Sequence, residues 1–416
     1  MKHVIIGNGP AGVVAAETLR KNDPGSSITL IGEEPEPPYS RMALPYLMMG
    51  EIDEAGTHLR KDAGHFAGLR IDLLRDRVDA VDAGKRSVRL ASGRSLLYDR
   101  LLIASGAHAI KPDIAGIDLP GVHACWTMED ARRIIARALP GSRVLQIGAG
   151  FIGCIIMEAL KTRGVQLTVV EMGDRMVPRM MTPVAGTMIR NWCEQRGVHV
   201  HVGTRVTALR RAGAGEALAA TLDSGKEIEA ETLIVAAGVR PNVEFLRGSG
   251  IVCDNGVFVD ATMQTNVAGI YAAGDVAAAI DFSTGVRGMN AIQPNAVEQA
   301  RVAALNMAGK RVESHGNMAL NVLDTLGLVS SSFGQWSGVA GGQSVELVDD
   351  GAFRYLCLQF NGDVLIGATA IGLTEGVGVL RGLIEGRVPL GSWKDRLLAE
   401  PLRFPDAYLA RAQAAA

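Results

Sequence analysis

Two copies of one short pattern constrain this chain more than anything else in it. The first opens it: His3-Val4-Ile5-Ile6 reads as an apolar strand, Gly7-Asn8-Gly9-Pro10-Ala11-Gly12 as a glycine turn, and Val13 to Arg20 as a helix. The second lies mid-chain, with strand Arg143-Val144-Leu145-Gln146-Ile147, turn Gly148-Ala149-Gly150-Phe151-Ile152-Gly153 and a helix from Cys154 to Thr162. In G-x-G-x-x-G the first glycine permits the tight turn, the second lets backbone approach a pyrophosphate, and the third lets helix and strand pack closely. Free amides and the positive end of the helix dipole then face the phosphates. Each copy continues into a strand and an acid. Ser27 to Ile31 leads to Gly32-Glu33-Glu34, with Glu33 21 residues past Gly12, and Gln166 to Val170 closes on Glu171, 18 residues past Gly153. An acid there binds ribose hydroxyls and repels a 2'-phosphate, so Glu171 favours NADH over NADPH. A lone glycine turn is weak evidence, but two complete units predict an α/β fold with two dinucleotide sites.

At 416 residues the chain is long for one domain, and two or three are expected. A net charge of −2 gives no electrostatic case for nucleic acid or an anionic membrane as partner. No apolar run reaches transmembrane length, and a strand starting at residue 3 leaves no room for a signal peptide, so a cytoplasmic location is expected. Cys125, Cys154, Cys193, Cys253 and Cys357 are scattered without a C-x-x-C, which suggests neither a disulfide framework nor a zinc site. His199 and His201 share one face of a strand but lack an apparent third ligand, so no metal is expected.

In chain order, prolines between Glu34 and Tyr46 predict an extended loop beside the first turn. Residues 69–103 alternate in short runs, as in a β-meander returning to the buried strand Leu101 to Ala104. A small-residue turn at Ala104-Ser105-Gly106 ends it, and Lys111-Pro112 marks a crossing between domains. Thr232 to Ala236 is a buried strand running into Ala237-Gly238, and Ile270-Tyr271-Ala272-Ala273-Gly274-Asp275 puts a carboxylate at a sheet's carboxyl edge, where α/β ligands bind. Met48-Met49 and Met180-Met181 read as packing. The tail from Trp393 to Tyr408 fits packing on its own domain or on a partner.

With these motifs the chain resembles, over nearly its whole length, the flavoprotein pyridine-nucleotide reductases of the two-dinucleotide-domain type. The resemblance implies a discontinuous FAD domain, residues 1–112 and 246–318, with an NADH domain inserted at 113–245 and a C-terminal α+β interface domain at 319–416. In the last of these, Asn361-Gly362 signals a hairpin and Glu375 to Glu385 a helix. FAD would be held by Gly7, Gly9, Pro10, Ala11, Gly12, Glu33, Glu34, Arg41, Ala104, Ser105, Gly106, Gly274 and Asp275, the last on the ribityl chain. NADH would be held by Gly148, Gly150, Phe151, Ile152, Gly153 and Glu171, and Gly238 is a further cofactor-binding candidate.

Within that superfamily Pro38-Tyr39-Ser40-Arg41-Met42-Ala43-Leu44-Pro45-Tyr46 looks like a cross between two subgroups. The coenzyme A disulfide reductase and NADH oxidase subgroup has a redox cysteine where Met42 stands, and a thioether forms neither mixed disulfide nor sulfenate. Ferredoxin and rubredoxin reductases and the flavin part of nitrite reductases have the Arg41-like residue without the cysteine. Ferredoxin reductases also pair a lysine at the Tyr46 position with a glutamate at the Ile155 position, beside flavin and nicotinamide. Tyr46, Ile155 and Cys154 are therefore the candidates beside the reacting atoms, Cys154 because a helix N-terminus lowers a thiol pKa. The plainer reading of Cys154 is a small residue packed between helix and sheet. The implied activity is hydride transfer from NADH to FAD and electron delivery to an iron-sulfur or other redox protein, with this chain a homodimer or a subunit of a larger complex. The alternatives are an NADH oxidase or quinone reductase without thiol chemistry, or a regulatory nucleotide-binding flavoprotein subunit.

Overall fold

The computed structural model describes residues 1–213 and 217–411. The chain forms two compact units, one made of Met1–Leu47, Ile52–His108 and Val239–Asn317, the other of Met48–Glu51, Ala109–Gly238 and Met318–Ala416.

The first unit is built on a parallel sheet with strand order Ile270–Ala272, Arg100–Ile103, Lys2–Ile6, Ser27–Gly32, Ile71–Arg75. Its central strands are apolar almost throughout because both faces are covered: Ile5, Leu101, Leu102 and Ile103 are fully buried. Helices Pro10–Asn22 and Gln293–Met307 pack together beside it. Ser27–Gly32 and Ile71–Arg75 lie on one side of Lys2–Ile6 and the later strands Arg100–Ile103 and Ile270–Ala272 on the other, so its carboxyl end is the switch point where α/β crevices open. Gly7 begins there. The meander proper is the antiparallel trio Val78–Asp82, Ser87–Leu90 and Ser95–Leu97, whereas Ile71–Arg75, within the expected meander span, joins the parallel sheet as its edge.

The segment expected to be an extended loop as far as Tyr46 is corrected. After Ser40 it forms a 3-10 turn, Arg41–Ala43, and then a helix, Leu44–Met49. Pro45 lies in that helix's first turn, where its missing N–H breaks no bond.

The second unit repeats the theme with a parallel sheet ordered His199–Val202, Gln166–Glu171, Arg143–Ile147, Thr232–Val235, Val122–Ala124. It also contains the C-terminal region, an antiparallel sheet ordered Leu320–Thr325, Leu328–Gly334, Val364–Ile371, Arg354–Asn361, Gln343–Asp349. Hydrogen bonds join the two regions. Thr182 Oγ1 lies 2.7 Å from Tyr355 Oη, Trp192 Nε1 donates to Leu326 O at 3.0 Å, and the Glu158 carboxylate accepts the Leu326 N–H. The tail packs on its own unit: helices Trp393–Ala399 and Phe404–Arg411 bury Leu397, Phe404 and Ala407, and Tyr408 lies against Gly382. The chain passes between the two units at His108–Ala109, a few residues before Lys111, and returns at Gly238–Val239. Among the described residues no helix is long and apolar enough to cross a membrane.

Candidate dinucleotide sites

The two glycine turns are close copies in geometry. Gly7 N donates to Ile31 O and Gly148 N to Val170 O, both at 2.8 Å, which ties each turn to the next strand. Gly7 has φ +105° and Gly148 φ +101°, and a Cβ on either would lie 2.0 Å from Ala104 O or 2.4 Å from Ala236 O. A Cβ on Gly12 or Gly153 would lie 1.9 or 2.4 Å from the carbonyl oxygen of the first glycine. The middle glycines differ. Gly9 and Gly150 have no heavy atom within 4 Å of where a Cβ would stand. Each is the N-cap of its helix, at φ −73°, ψ −172° and φ −75°, ψ −170°, and neither Pro10–Asn22 nor Phe151–Thr162 has a side-chain cap. The open space therefore lies against uncapped helix amides, which is the cradle a pyrophosphate needs. Pro10 and Ala11, and Phe151 and Ile152, form the first turns of these helices.

Around the first turn, Ala104 follows strand Arg100–Ile103, and its oxygen is what excludes a side chain at Gly7. Ser105 Oγ donates to Asn242 O at 2.9 Å, Asn242 Nδ2 returns a bond to Ser105 O at 2.8 Å, and Asn242 N donates to Gly106 O at 3.0 Å. Asn242 was not singled out from sequence, although Arg240-Pro241-Asn242 after a buried strand is a turn signal. Gly274 takes φ +81° beside Ala11, and its N–H donates to Gln299 Oε1 at 2.8 Å. Gln299, buried on helix Gln293–Met307, is a second residue that periodicity hid, because it occupies a core position. Asp275 follows, partly buried, and among the described residues no hydrogen bond reaches its carboxylate. Burial raises its pKa, partly offset by the charge of Arg41. A desolvated carboxylate beside the turn suits an acceptor for a ligand hydroxyl.

The two acids after Gly32 divide. Glu33 is exposed, while Glu34 accepts from Tyr39 Oη at 2.7 Å and pairs with Arg41 at 2.7 Å. The Asn8 side chain covers Gly32, leaving no room there for a Cβ.

In the second unit Glu171 is buried, with Oε2 accepting the Ala149 N–H and Oε1 the Gly173 N–H, each at 2.7 Å. Its carboxylate thus braces the glycine turn, and each oxygen retains lone-pair capacity for a ribose hydroxyl. Gly238, at φ +102°, accepts the Ile110 N–H through its carbonyl at 2.9 Å.

Of the two readings of Cys154, the structure fits the packed small residue and not the lowered thiol. The residue is fully buried, its Sγ 3.7 Å from Ala149 O, and burial pushes its pKa well above the ordinary thiol value. The dipole loses because the thiolate would have to form without solvent. Ile155 is half-buried on the same helix, and Tyr46, in the first unit, is 51% exposed on helix Leu44–Met49. Met48, Met180 and Met181 are core.

Residues 1–305 match the family profile described as pyridine nucleotide-disulphide oxidoreductase. The chain is 33% identical over 405 residues to the NADH-dependent phenylglyoxylate dehydrogenase subunit epsilon of Aromatoleum evansii, covering 96% of this chain and 95% of that one. It is 34% identical over 311 residues to rhodocoxin reductase of Rhodococcus erythropolis, covering 74% and 72%. Among solved structures, the ferredoxin reductase for the CYP199A2 system of Rhodopseudomonas palustris superposes with a TM-score of 0.84 at 26% identity, over 91% of this chain and 93% of that one.

Proposed function

The chain belongs to the pyridine nucleotide-disulphide oxidoreductase family and is an NADH-dependent FAD oxidoreductase, and from that premise we propose that it delivers electrons to an iron-sulfur or rubredoxin-type protein or partner subunit. The observation that carries the proposal is the matched pair of turns whose middle glycines alone, of the three in each, face open space. FAD, when bound, takes hydride as an electron pair and can release electrons singly, which suits a one-electron acceptor.

The chain's own residues supply binding and position. Helix Pro10–Asn22 and Gly9 receive the FAD pyrophosphate, Glu33 a ribose, and Asp275 the ribityl hydroxyls, with Arg41 adding positive charge near Asp275. Helix Phe151–Thr162, Gly150 and Glu171 do the same for NADH. In this reading residues 1–112 and 246–318 form the FAD domain, 113–245 the NADH domain and 319–416 the interface domain. Likeness to the phenylglyoxylate dehydrogenase subunit runs almost end to end, whereas likeness to rhodocoxin reductase covers 74% of the chain, which favours a partner within a multisubunit enzyme. With Tyr46 and Ile155 in place of a lysine-glutamate pair, flavin reduction in the isolated chain is slow.

The test is anaerobic rapid mixing with NADH, following flavin absorbance. Bleaching of the yellow protein supports the reductase, and flavin that stays oxidised at saturating NADH overturns it in favour of a nucleotide-binding subunit.

A further inference from the structure

The glycine turn of the second unit is held from inside by a side chain its counterpart in the first unit lacks. Gln146 lies on strand Arg143–Ile147, two residues before Gly148, and is fully buried. Its Nε2 donates to Gly148 O at 2.8 Å and to Gly153 O at 2.9 Å, bridging the first and third glycines of the turn. The amide is oriented by its neighbours, since the opposite flip would set its oxygen against two carbonyl acceptors. Its Oε1 is buried without a partner. The matching position before Gly7 is Ile5, fully buried and with no donor to offer.

The bridge fixes peptide planes. A trans peptide directs its C=O and N–H to opposite sides. The Gly148–Ala149 peptide is held at both ends, its carbonyl by Gln146 and its N–H by Glu171. The Ala149 carbonyl accepts the Val177 N–H at 2.8 Å, which leaves the Gly150 N–H facing away from Val177. Val177 itself sits at φ +50°, a conformation a β-branched residue rarely adopts, so the surrounding bonds enforce it. Keeping an orphaned buried acceptor costs stability, and the two carbonyl bonds are what that cost secures.

We propose that Gln146 is a positioning residue for NADH: it acts through the backbone of the glycine turn, setting the amides that receive the pyrophosphate. This rests on the reading of the second unit as the NADH site. The experiment titrates FAD-loaded protein with NAD+ by calorimetry and measures KM and kcat for NADH. Gln146→Met keeps length and burial but removes the donor. It is expected to weaken NAD+ binding and raise KM for NADH about tenfold, roughly the worth of the lost hydrogen bonding, with kcat and FAD content unchanged. Gln146→Glu carries a proton to donate at low pH and a charge facing two carbonyls at high pH. Its NAD+ affinity should fall as pH rises, more steeply than that of the parent or of Gln146→Met. Parent-like NAD+ affinity in Gln146→Met overturns the role of Gln146 alone, while a parent protein that binds no NAD+ overturns the NADH reading itself. If Gln146→Met fails to retain FAD, the pH series on Gln146→Glu decides, and a flat series overturns the proposal.

Discussion

At Gly9 the protein leaves space that nothing of its own fills, and that makes the position a clean probe. With an ordinary negative φ and no atom within 4 Å of a Cβ, Gly9→Val should cost the fold little, yet its side chain would occupy the pyrophosphate's volume. The expected outcome is a folded protein that retains less than about a tenth of the parent's flavin, read as the flavin-to-protein absorbance ratio after gel filtration, with circular dichroism as the control. Full FAD retention would remove the first turn from the site. Gly7 and Gly12 cannot serve this way, because a Cβ there strikes backbone oxygen. Buried thiols give a second residue-scale expectation. Burial raises Cys125 and Cys193 to about 12 and Cys357 to about 11, from an ordinary 9.0. Above that ordinary value the unfolded chain releases protons the folded chain keeps, so the stability tied to these thiols is complete below pH 9 and is lost as pH rises toward 11 and 12. Melting temperature should therefore fall across that range, and Cys193→Ala should make the fall shallower. An equally steep fall in the variant would remove Cys193 from the effect.

Elements whose signal is local were legible in the sequence, and those fixed by distant partners were not. Both glycine turns, their strands and their helices followed from apolar runs and glycine spacing, because a buried parallel strand and a phosphate turn each carry their own pattern. Helix Leu44–Met49 was missed because Pro45 reads as a breaker unless the first turn is known. The place of Ile71–Arg75 in the parallel sheet depends on pairing with Ser27–Gly32, more than forty residues away in sequence. The joining of the C-terminal sheet to the second unit rests on contacts such as Thr182 with Tyr355, 173 residues apart, which no periodicity announces. The hairpin expected at Asn361-Gly362 exists but is shifted by one: Asn361 pairs with Val364, and the two-residue loop is Gly362-Asp363. Gly362 adopts φ +59° with open space around it, so Gly362→Ala should cost only the left-handed backbone penalty, about 1 kcal/mol. A lowered urea midpoint with an unchanged slope would show this, and an unchanged midpoint would mean the turn relaxes freely.

For the whole molecule the question is how many electrons it can hold. The sequence made the two dinucleotide sites legible because cofactor phosphates demand glycines at fixed spacing, but it left the acceptor unnamed, since a docking surface has no such period. It does bear on the count. NADH supplies an electron pair, and a second two-electron couple within the chain would need a thiol pair or a reactive cysteine. All five cysteines are free, and Cys125, Cys154, Cys193 and Cys357 are buried with raised pKa values, which suppresses the thiolate that redox chemistry requires. Cys253, only partly buried, is raised as well. Met42, where the thiol-dependent subgroup of the family carries its cysteine, is 50% exposed and has no thiol to offer. Anaerobic titration with dithionite should therefore consume about two electrons per bound FAD and develop no long-wavelength thiolate-to-flavin absorbance. Uptake of about four electrons would show that one of these cysteines exchanges electrons with the flavin and would return the chain to the thiol-dependent subgroup.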